Sequence, residues 1–290
     1  MWPFTYFRQP VPPPPPPAEF DRPWRTVNWS QPVQDLLIKV NDFQPGNSEV
    51  DTLRILLHGP VGAGKSSFIN SVDTALQGHI TNRVPTDAIS GKSFTLECKT
   101  YNLTKCTTGF YPFTFTDIMG IQATEGIQTD DIIKILHGHI KNDYVFNPVR
   151  PITKEDSKYD KHSSLKDKIH CLVSVFPANQ ISSIPEDVLR KMREVREKAR
   201  DMGIPQVIIM TKVDEICPLV KENLEKVYTS KKIKEKVKEC SVRLGITESY
   251  IYPVKNYHEE DATVTKIDIL ILKALLNIVN FANAYVEDHK

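Results

Sequence analysis

Apolar runs alternate with longer amphipathic segments along the chain, and each apolar run has the length and composition of a buried strand. We predict strands at residues 53–58, 93–103, 110–117, 169–176, 206–211 and 250–254. The segments between them space their apolar positions as helices do, which predicts helices at about 64–77, 124–138, 185–201, 215–243 with a break, and 262–286. This alternation is typical of a mostly parallel sheet covered by helices.

Two neighbouring predicted strands, 93–103 and 110–117, are joined by TKCTTG, which is too short for a crossover helix. We therefore expect them to form an antiparallel hairpin. The predicted fold class is α/β, a three-layer sandwich with a mostly parallel sheet and one antiparallel edge strand.

The first 32 residues contain the run VPPPPPP, which favours extended polyproline II and cannot form a core. We predict a Pro-rich disordered tail over residues 1–32 and one folded domain over residues 33–290. The segment at about 139–168 is polar and is interrupted by Pro148 and Pro151, so we interpret it as a long insertion in that domain.

Composition narrows the expected partners and location. Lys plus Arg, 37, and Asp plus Glu, 36, nearly cancel, so we expect no nucleic-acid partner. The five cysteines form no C-x-x-C pair, which disfavours a disulfide framework or a zinc site. The apolar segment 267–286 is interrupted by polar and charged residues, which disfavours a membrane span. The N-terminal stretch lacks the pattern of a secretory signal, and we expect a cytoplasmic protein.

A phosphate-binding motif follows the first predicted strand. GPVGAGKS, residues 59–66, fits G-x-x-x-x-G-K-[ST] and opens a predicted helix. The glycines let backbone N–H groups turn towards an anion, Lys65 can reach the β and γ phosphates, and the Ser66 hydroxyl can ligate Mg²⁺. The candidate phosphate-binding residues are Val61, Gly62, Ala63, Gly64, Lys65, Ser66 and Ser67.

Two later motifs favour guanine over adenine. DIMG, at the end of strand 110–117, is a D-x-x-G in which Asp117 would lie by the Mg²⁺ and Gly120 near the γ phosphate. TKVD, at the end of strand 206–211, resembles the T/N-K-x-D motif of GTPases.

Each residue of TKVD has an expected role. Asp214 would accept hydrogen bonds from guanine N1–H and the 2-amino group, which adenine does not offer. Thr211 and Lys212 complete the motif, with the lysine stem along the base and ribose, and Lys255 follows the last strand as a further base-loop candidate. The expected ligands are GTP or GDP with Mg²⁺, and the folded domain is expected to be GTPase-like.

A family resemblance covers about residues 19–290. The stretches that carry it are EFDRPWR, RILLHGPVGAGKSSFINSV, GKSFTLECKTY, DIMG, HGHIKNDYVFNPVRPI and LKDKIHCLVSVFPAN. They resemble the interferon-induced protein 44 and 44-like family. The resemblance implies a cytoplasmic, interferon-inducible protein of the innate antiviral response with a GTP-binding domain. Longer members of that family carry an N-terminal TLDc domain, in whose place this chain has the Pro-rich tail.

The second Mg²⁺ ligand is assigned by a further resemblance. Ser93-Phe94-Thr95 resembles the switch I S-x-T of immunity-associated GTPases, which makes Thr95 the candidate and Thr86 the alternative.

Several residues bear on hydrolysis. Ras-like enzymes place a water-orienting Gln directly after D-x-x-G, where this chain has Ile121, and the remaining catalytic candidate is Gln122. Val61 occupies a loop position where Ras-like enzymes have Gly, and its bulk obstructs the transition-state geometry. We therefore predict slow GTP hydrolysis that a protein partner or a homodimer accelerates. The alternative is a nucleotide-binding interaction scaffold with no hydrolysis.

Overall fold

The computed structural model describes residues 18–86, 97–124 and 126–289. Within these residues seven strands form one sheet in the order β4-β2-β3-β1-β5-β6-β7. The strands are β1 (Leu53–His58), β2 (Glu97–Thr104), β3 (Phe110–Asp117), β4 (Tyr144–Val145), β5 (Cys171–Pro177), β6 (Gln206–Thr211) and β7 (Ile251–Pro253). All seven residues of β5 are buried, as expected of a central parallel strand covered on both faces.

Helices cover both faces of the sheet. They are α1 (Val33–Asn41), α2 (Lys65–Gln77), α3 (Thr129–Leu136), α4 (Glu186–Asp201), α5 (Val213–Ile216), α6 (Pro218–Glu222), α7 (Lys231–Leu244) and α8 (Thr265–Glu287). Helix α8 packs on α1, α2, β1 and β5, whereas α4 packs on α3, α7 and β6. Right-handed crossovers place these two groups on opposite faces. The predicted α/β three-layer sandwich is confirmed.

The predicted hairpin is also confirmed. Strand β2 pairs antiparallel with β3, and the other pairs among β1, β3, β5, β6 and β7 are parallel. Residues 93–96 of the predicted strand lie outside the described residues, and β2 starts at Glu97. The two-residue strand β4 pairs with Glu97 and Cys98, so β4 and not β2 forms this margin of the sheet.

The helix predicted at 215–243 with a break consists of more pieces than the sequence suggested. Helix α6 begins at Pro218 and is followed by a 3-10 helix, Leu224–Tyr228, before α7. The Ser230 side chain accepts a hydrogen bond from the Ile233 amide and so caps the start of α7.

Two other helices differ from the prediction. Helix α3 is shorter than the predicted 124–138, because Gly126 and Gly138 adopt positive φ on either side of it. Helix α1 was not predicted.

The predicted disordered tail needs a correction for residues 18–32, whereas residues 1–17 lie outside the described residues. The Phe20 and Trp24 amides donate to the Thr229 and Tyr228 carbonyls at 2.8 and 3.0 Å, so this part packs on the domain. The aromatic and charged side chains of EFDRPWR supply contacts that a proline run cannot. The segment 139–168, predicted as an insertion, connects α3 to β5 and contains β4.

Helix α8 is the one helix among the described residues that is long and apolar enough to cross a membrane. Its 18-residue window has a mean hydropathy of 1.6, and 61% of the window is buried inside the protein. The core helix of a sheet protein meets the same criteria of length and composition.

Candidate functional site

The loop between β1 and α2 has the geometry of a phosphate-binding loop. Gly59 has φ 153°, and a Cβ there would lie 2.2 Å from the Val175 carbonyl oxygen, so only glycine fits. Gly62 and Gly64 have φ 73° and 88°, and Gly64 is the residue before α2. No side chain caps that helix start, so its first N–H groups are suited to an anion. The loop contains Val61, Gly62 and Ala63, and the first turn of α2 contains Ser67.

Lys65 places a buried cation under the loop. Its side chain is 8% exposed, and Nζ donates long hydrogen bonds to the Gly59 and Pro60 carbonyls, at 3.4 and 3.3 Å. Burial lowers the pKa of Lys65, and the nearby Asp117 carboxylate opposes this shift. An anion held in the loop would offset the cost of burying this charge.

Two oxygen groups suited to Mg²⁺ meet beside Lys65. The Ser66 hydroxyl, at the start of α2, donates to Asp117 Oδ2 at the end of β3 over 2.5 Å. A hydroxyl and a carboxylate are hard donors, and Mg²⁺ typically takes few protein ligands and keeps several waters. The donor set fits the ion. Thr95 lies outside the described residues, and the alternative, Thr86, is exposed in the loop after α2.

The D-x-x-G segment lies against the phosphate loop. The Ile121 amide donates to the Gly59 carbonyl at 2.9 Å, and Ile121 forms a parallel bridge with Pro60. A Cβ on Gly120 would lie 2.6 Å from Val61 Cγ2 and 2.8 Å from Val61 Cα. The Val61 side chain is therefore packed on Gly120, at the position where the motif expects the γ phosphate.

Gln122, the candidate catalytic residue, is half-buried beyond Ile121. Its carbonyl, like that of Ala123, accepts a hydrogen bond from Lys191 Nζ of α4, at 2.8 and 3.1 Å. Lys191 was not predicted from the sequence. A lysine that binds main-chain carbonyls far away along the chain belongs to no motif, so no sequence signal identifies it.

TKVD is joined to the phosphate loop by its first residue. Thr211 is fully buried, and its hydroxyl donates to the Ala63 carbonyl at 2.7 Å. Lys212 follows with φ 58°, a left-handed conformation that is uncommon for a residue other than glycine, and α5 starts at the next residue. This turn ends β6 and begins the short helix that contains Asp214.

A cleft of about 290 Å³ brings these residues together. Asp214, Lys212 and Lys255 line it, together with Gly64 and Ser67 of the phosphate loop. A larger cleft of about 540 Å³ lies at the C-terminal ends of α4 and α7. It contains no residue of the nucleotide motifs, so the smaller cleft is the better candidate.

The loop after β7 forms one wall of this smaller cleft. Lys255 Nζ is paired with Glu260 Oε1 at 2.5 Å. Burial alone would raise the pKa of Glu260, but hydrogen bonds from the His258 amide and Lys255 outweigh it and lower the pKa to about 2. Asn256 Nδ2 donates to the Gly64 carbonyl at 3.2 Å, while its buried Oδ1 has no hydrogen-bond partner among the described residues.

The fold and the site together define a P-loop NTPase of the GTPase type. The phosphate loop lies between β1 and α2, an aspartate ends β3, and T-K-x-D ends β6. No protein-family model matches the chain.

The chain is a homologue of the interferon-induced protein 44 and 44-like proteins, which confirms the resemblance seen in the sequence. It is 34% identical to interferon-induced protein 44 of Mus musculus over 258 residues, which cover 88% of this chain and 60% of that protein. It is 35% identical to the Homo sapiens protein over 261 residues, 88% of this chain and 58% of that protein. It is also 35% identical to Homo sapiens interferon-induced protein 44-like over 259 residues, 87% and 56% of the two chains. The chain thus spans less than two thirds of the length of these relatives.

Similar solved structures include a dimerisation-deficient mutant of Toc33 from Arabidopsis thaliana, with 15% identity and a TM-score of 0.49 over 90% of this chain and 96% of that chain. A probable GTP-binding protein, engB, has 14% identity and a TM-score of 0.41 over 80% and 98% of the two chains. The strand order and the motif positions of this chain define its fold independently of these distant similarities.

Proposed function

We propose that this chain is a GTP- and GDP-binding protein of the interferon response, located in the cytoplasm. The observation that carries the nucleotide part is the cleft shared by Gly64 of the phosphate loop and the Asp214 carboxylate. The interferon part is supported by the homologues, interferon-induced proteins that are 35% identical to this chain over the aligned residues.

Guanine selectivity follows from Asp214 in this proposal. Its carboxylate accepts hydrogen bonds from two guanine N–H groups, whereas adenine presents an acceptor in place of one of them. The Thr211 hydroxyl stabilises the phosphate loop by donating a hydrogen bond to the Ala63 carbonyl. This hydrogen bond connects the proposed base-recognition motif to the proposed phosphate-binding loop.

The proposed metal ion is Mg²⁺, held by Ser66 and Asp117 with Thr95 as a further ligand. When bound, it neutralises charge on the phosphates. The chain's own contribution is to hold the hydroxyl and the carboxylate side by side, 2.5 Å apart, and to bury the Lys65 ammonium next to them.

Hydrolysis is proposed to be slow and dependent on a protein partner or a homodimer. Ile121, in the water-orienting position, is 1% exposed and tied through its amide to Gly59, so it contributes no polar side chain there. Val61 packs on Gly120. The same two observations favour the second candidate function, a nucleotide-binding interaction scaffold with no hydrolysis.

Base selectivity tests the proposal. Fluorescent GTP and ATP analogues, titrated in Mg²⁺ and competed by unlabelled nucleotides, should show a preference for GTP of about tenfold or more, close to 1.4 kcal/mol. Asp214→Asn should transfer that preference to xanthine nucleotides, because the amide turns one acceptor into a donor. Lys65→Ala should lose tight binding of both GTP and ATP.

The neighbouring carboxylate gives a matched control for this test. Glu215 lines the same cleft and is exposed, so Glu215→Gln should keep the preference for GTP. Equal binding of GTP and ATP by the wild type would contradict the guanine site. No binding at all would leave a scaffold whose phosphate loop has lost its function.

A further inference from the structure

The segment 18–25, which we call the N-terminal strap, packs on elements next to those that line the cleft of about 290 Å³, here called the base cleft. The Lys231 amide donates to the Ala18 carbonyl at 3.0 Å, and Glu19 pairs with Lys226 at 2.8 Å. The Trp24 ring meets Tyr228 edge to face at 4.8 Å between centroids. The strap therefore lies on the 3-10 helix Leu224–Tyr228 and the start of α7.

Arg25 then extends the strap to β7. Its guanidinium donates to the carbonyls of Ile251, Glu248 and Ser249 at 2.8, 2.9 and 3.2 Å. Strand β7 is only three residues long and pairs with β6 alone, so its other side has no strand neighbour among the described residues. A planar group with several N–H donors suits this unpaired side.

The same guanidinium joins two elements through their aromatic rings. Its central carbon lies 5.5 Å from the Tyr228 ring centroid and 5.3 Å from that of Tyr252, within cation–π range of both. Tyr228 ends the 3-10 helix that follows α5 and α6, the helices carrying Asp214 and Lys221. Tyr252 lies in β7, three residues before Lys255.

Arg25 thus contacts the elements next to the two walls of the cleft, through Tyr228 and Tyr252. One wall contains Asp214 and Lys221, and the other contains Lys255 and Asn256. Only Pro253 and Val254 separate Tyr252 from Lys255. A displacement of β7 would therefore reach the base loop directly.

We infer that Arg25 is a positioning residue for guanine-nucleotide binding, and that docking of the N-terminal strap and occupancy of the base cleft stabilise each other. This inference rests on the proposed function. By linkage, strap docking raises nucleotide affinity by the same factor as the nucleotide stabilises the docked strap.

Arg25→Gln should raise the Kd for GDP about tenfold, measured well below the unfolding temperature of the variant. The matched control is Arg22→Gln in the same strap, because Arg22 is exposed, and its Kd should stay within about twofold of the wild type. Arg25→Lys keeps the charge but loses the planar fork, and should fall between the two. A merely structural Arg25 would lower the melting temperature and leave the Kd unchanged.

Hydrogen exchange on the wild-type chain is the second measurement and needs no variant. Saturating GDP should slow exchange of the Phe20 and Trp24 amides, which donate to the domain. A wild type that binds GDP, with an unchanged Kd in Arg25→Gln and unchanged strap exchange, would overturn the coupling and leave the nucleotide site intact. A wild type that does not bind GDP would overturn both.

Discussion

Val61 shows how one side chain in the phosphate loop controls the space opposite it. Its Cγ2 and Cα face the α-carbon of Gly120, leaving no room for a Cβ there. The contact brings the D-x-x-G segment close to the loop, in the space that an incoming γ phosphate and its attacking water would use.

Val61→Gly should raise the single-turnover rate of GTP hydrolysis about tenfold, which corresponds to about 1.4 kcal/mol of barrier. The physical reason is that the γ-methyl groups are removed from the side of Gly120. The rate is measured with protein in excess over GTP, so that product release does not contribute. Val61→Ala, which keeps the Cβ, is the intermediate control, and an unchanged rate in both variants would contradict a role of Val61 in the proposed slow hydrolysis.

Residues at the site differ in how far the sequence predicts them. Lys65, Ser66 and Asp214 belong to motifs, because their chemistry requires fixed residue types at fixed spacing. Lys191 and Arg25 bind main-chain carbonyls that are distant along the chain. Since any residue type can supply such a carbonyl, no pattern of letters records the pairing.

Among the elements, α3 and the segment 139–168 are connected by a buried carboxylate. Asp131 is fully buried, and its Oδ1 accepts a hydrogen bond from the Ile152 amide at 2.8 Å. Burial raises the pKa of Asp131, although the hydrogen bond from Ile152 opposes this. Lys134, one turn later, donates to the Ile152 carbonyl at 2.6 Å. The amide and the carbonyl of Ile152 are thus both hydrogen-bonded to side chains of α3.

Asp131→Ala should lower the free energy of unfolding by about 1–3 kcal/mol, because the buried Ile152 amide loses its acceptor. Asp131→Asn keeps an acceptor oxygen of the same reach and should cost clearly less. Urea denaturation of both variants measures the difference. Equal losses for alanine and asparagine would show that the negative charge, and not the hydrogen bond, matters here.

Element boundaries were predictable where composition is decisive. Strands β1, β3 and β6 have the predicted bounds, because each apolar run ends in a polar or glycine-containing turn. Helix α1 was missed, since its VQDLLIKVN buries only Leu36 and Val40, a weak apolar pattern. Its position depends on packing against α8, which local sequence does not reveal.

Across the whole molecule, two buried histidines make stability depend on pH. His58 is fully buried, and burial, with smaller contributions from Arg196 and Lys65, lowers its pKa from 6.5 to about 3. Burial also lowers the pKa of His170 to about 4. The Arg54 amide donates to His170 Nδ1 at 2.9 Å, and the Leu165 carbonyl lies 2.9 Å from Nε2, which fits the neutral ring.

The free energy of unfolding should therefore fall as pH drops below 6.5. The unfolded chain binds protons at these histidines first, while the folded chain resists until about pH 4 at His170 and about pH 3 at His58. The slope approaches about 1.4 kcal/mol per pH unit for each histidine. In urea denaturation between pH 4 and 7, His58→Gln should reduce this slope by up to one histidine's contribution. The same slope in wild type and variant would contradict the assignment.

The overall layering followed from the alternation of strands and helices, but the placement of residues 18–32 did not. These residues follow a proline run, which suggested that the disordered tail continues through them. Trp24 and Arg25 bind partners about two hundred residues later in the chain, and such distant pairings depend on the finished fold. Local propensity carries no information about them.

The short strands at both margins of the sheet bear on how two copies of this chain can associate. At one margin β4 covers Glu97 and Cys98, and the Asn142 side chain accepts a hydrogen bond from the Thr100 amide at 2.7 Å. At the other margin, Arg25 donates to the carbonyl of Ile251, the first residue of the three-residue strand β7. Continuation of the sheet from one copy into the next is thereby disfavoured. Helices and loops are therefore the better candidates for contact between two copies, and the candidate site itself is lined by loop residues such as Gly64, Lys255 and Asn256.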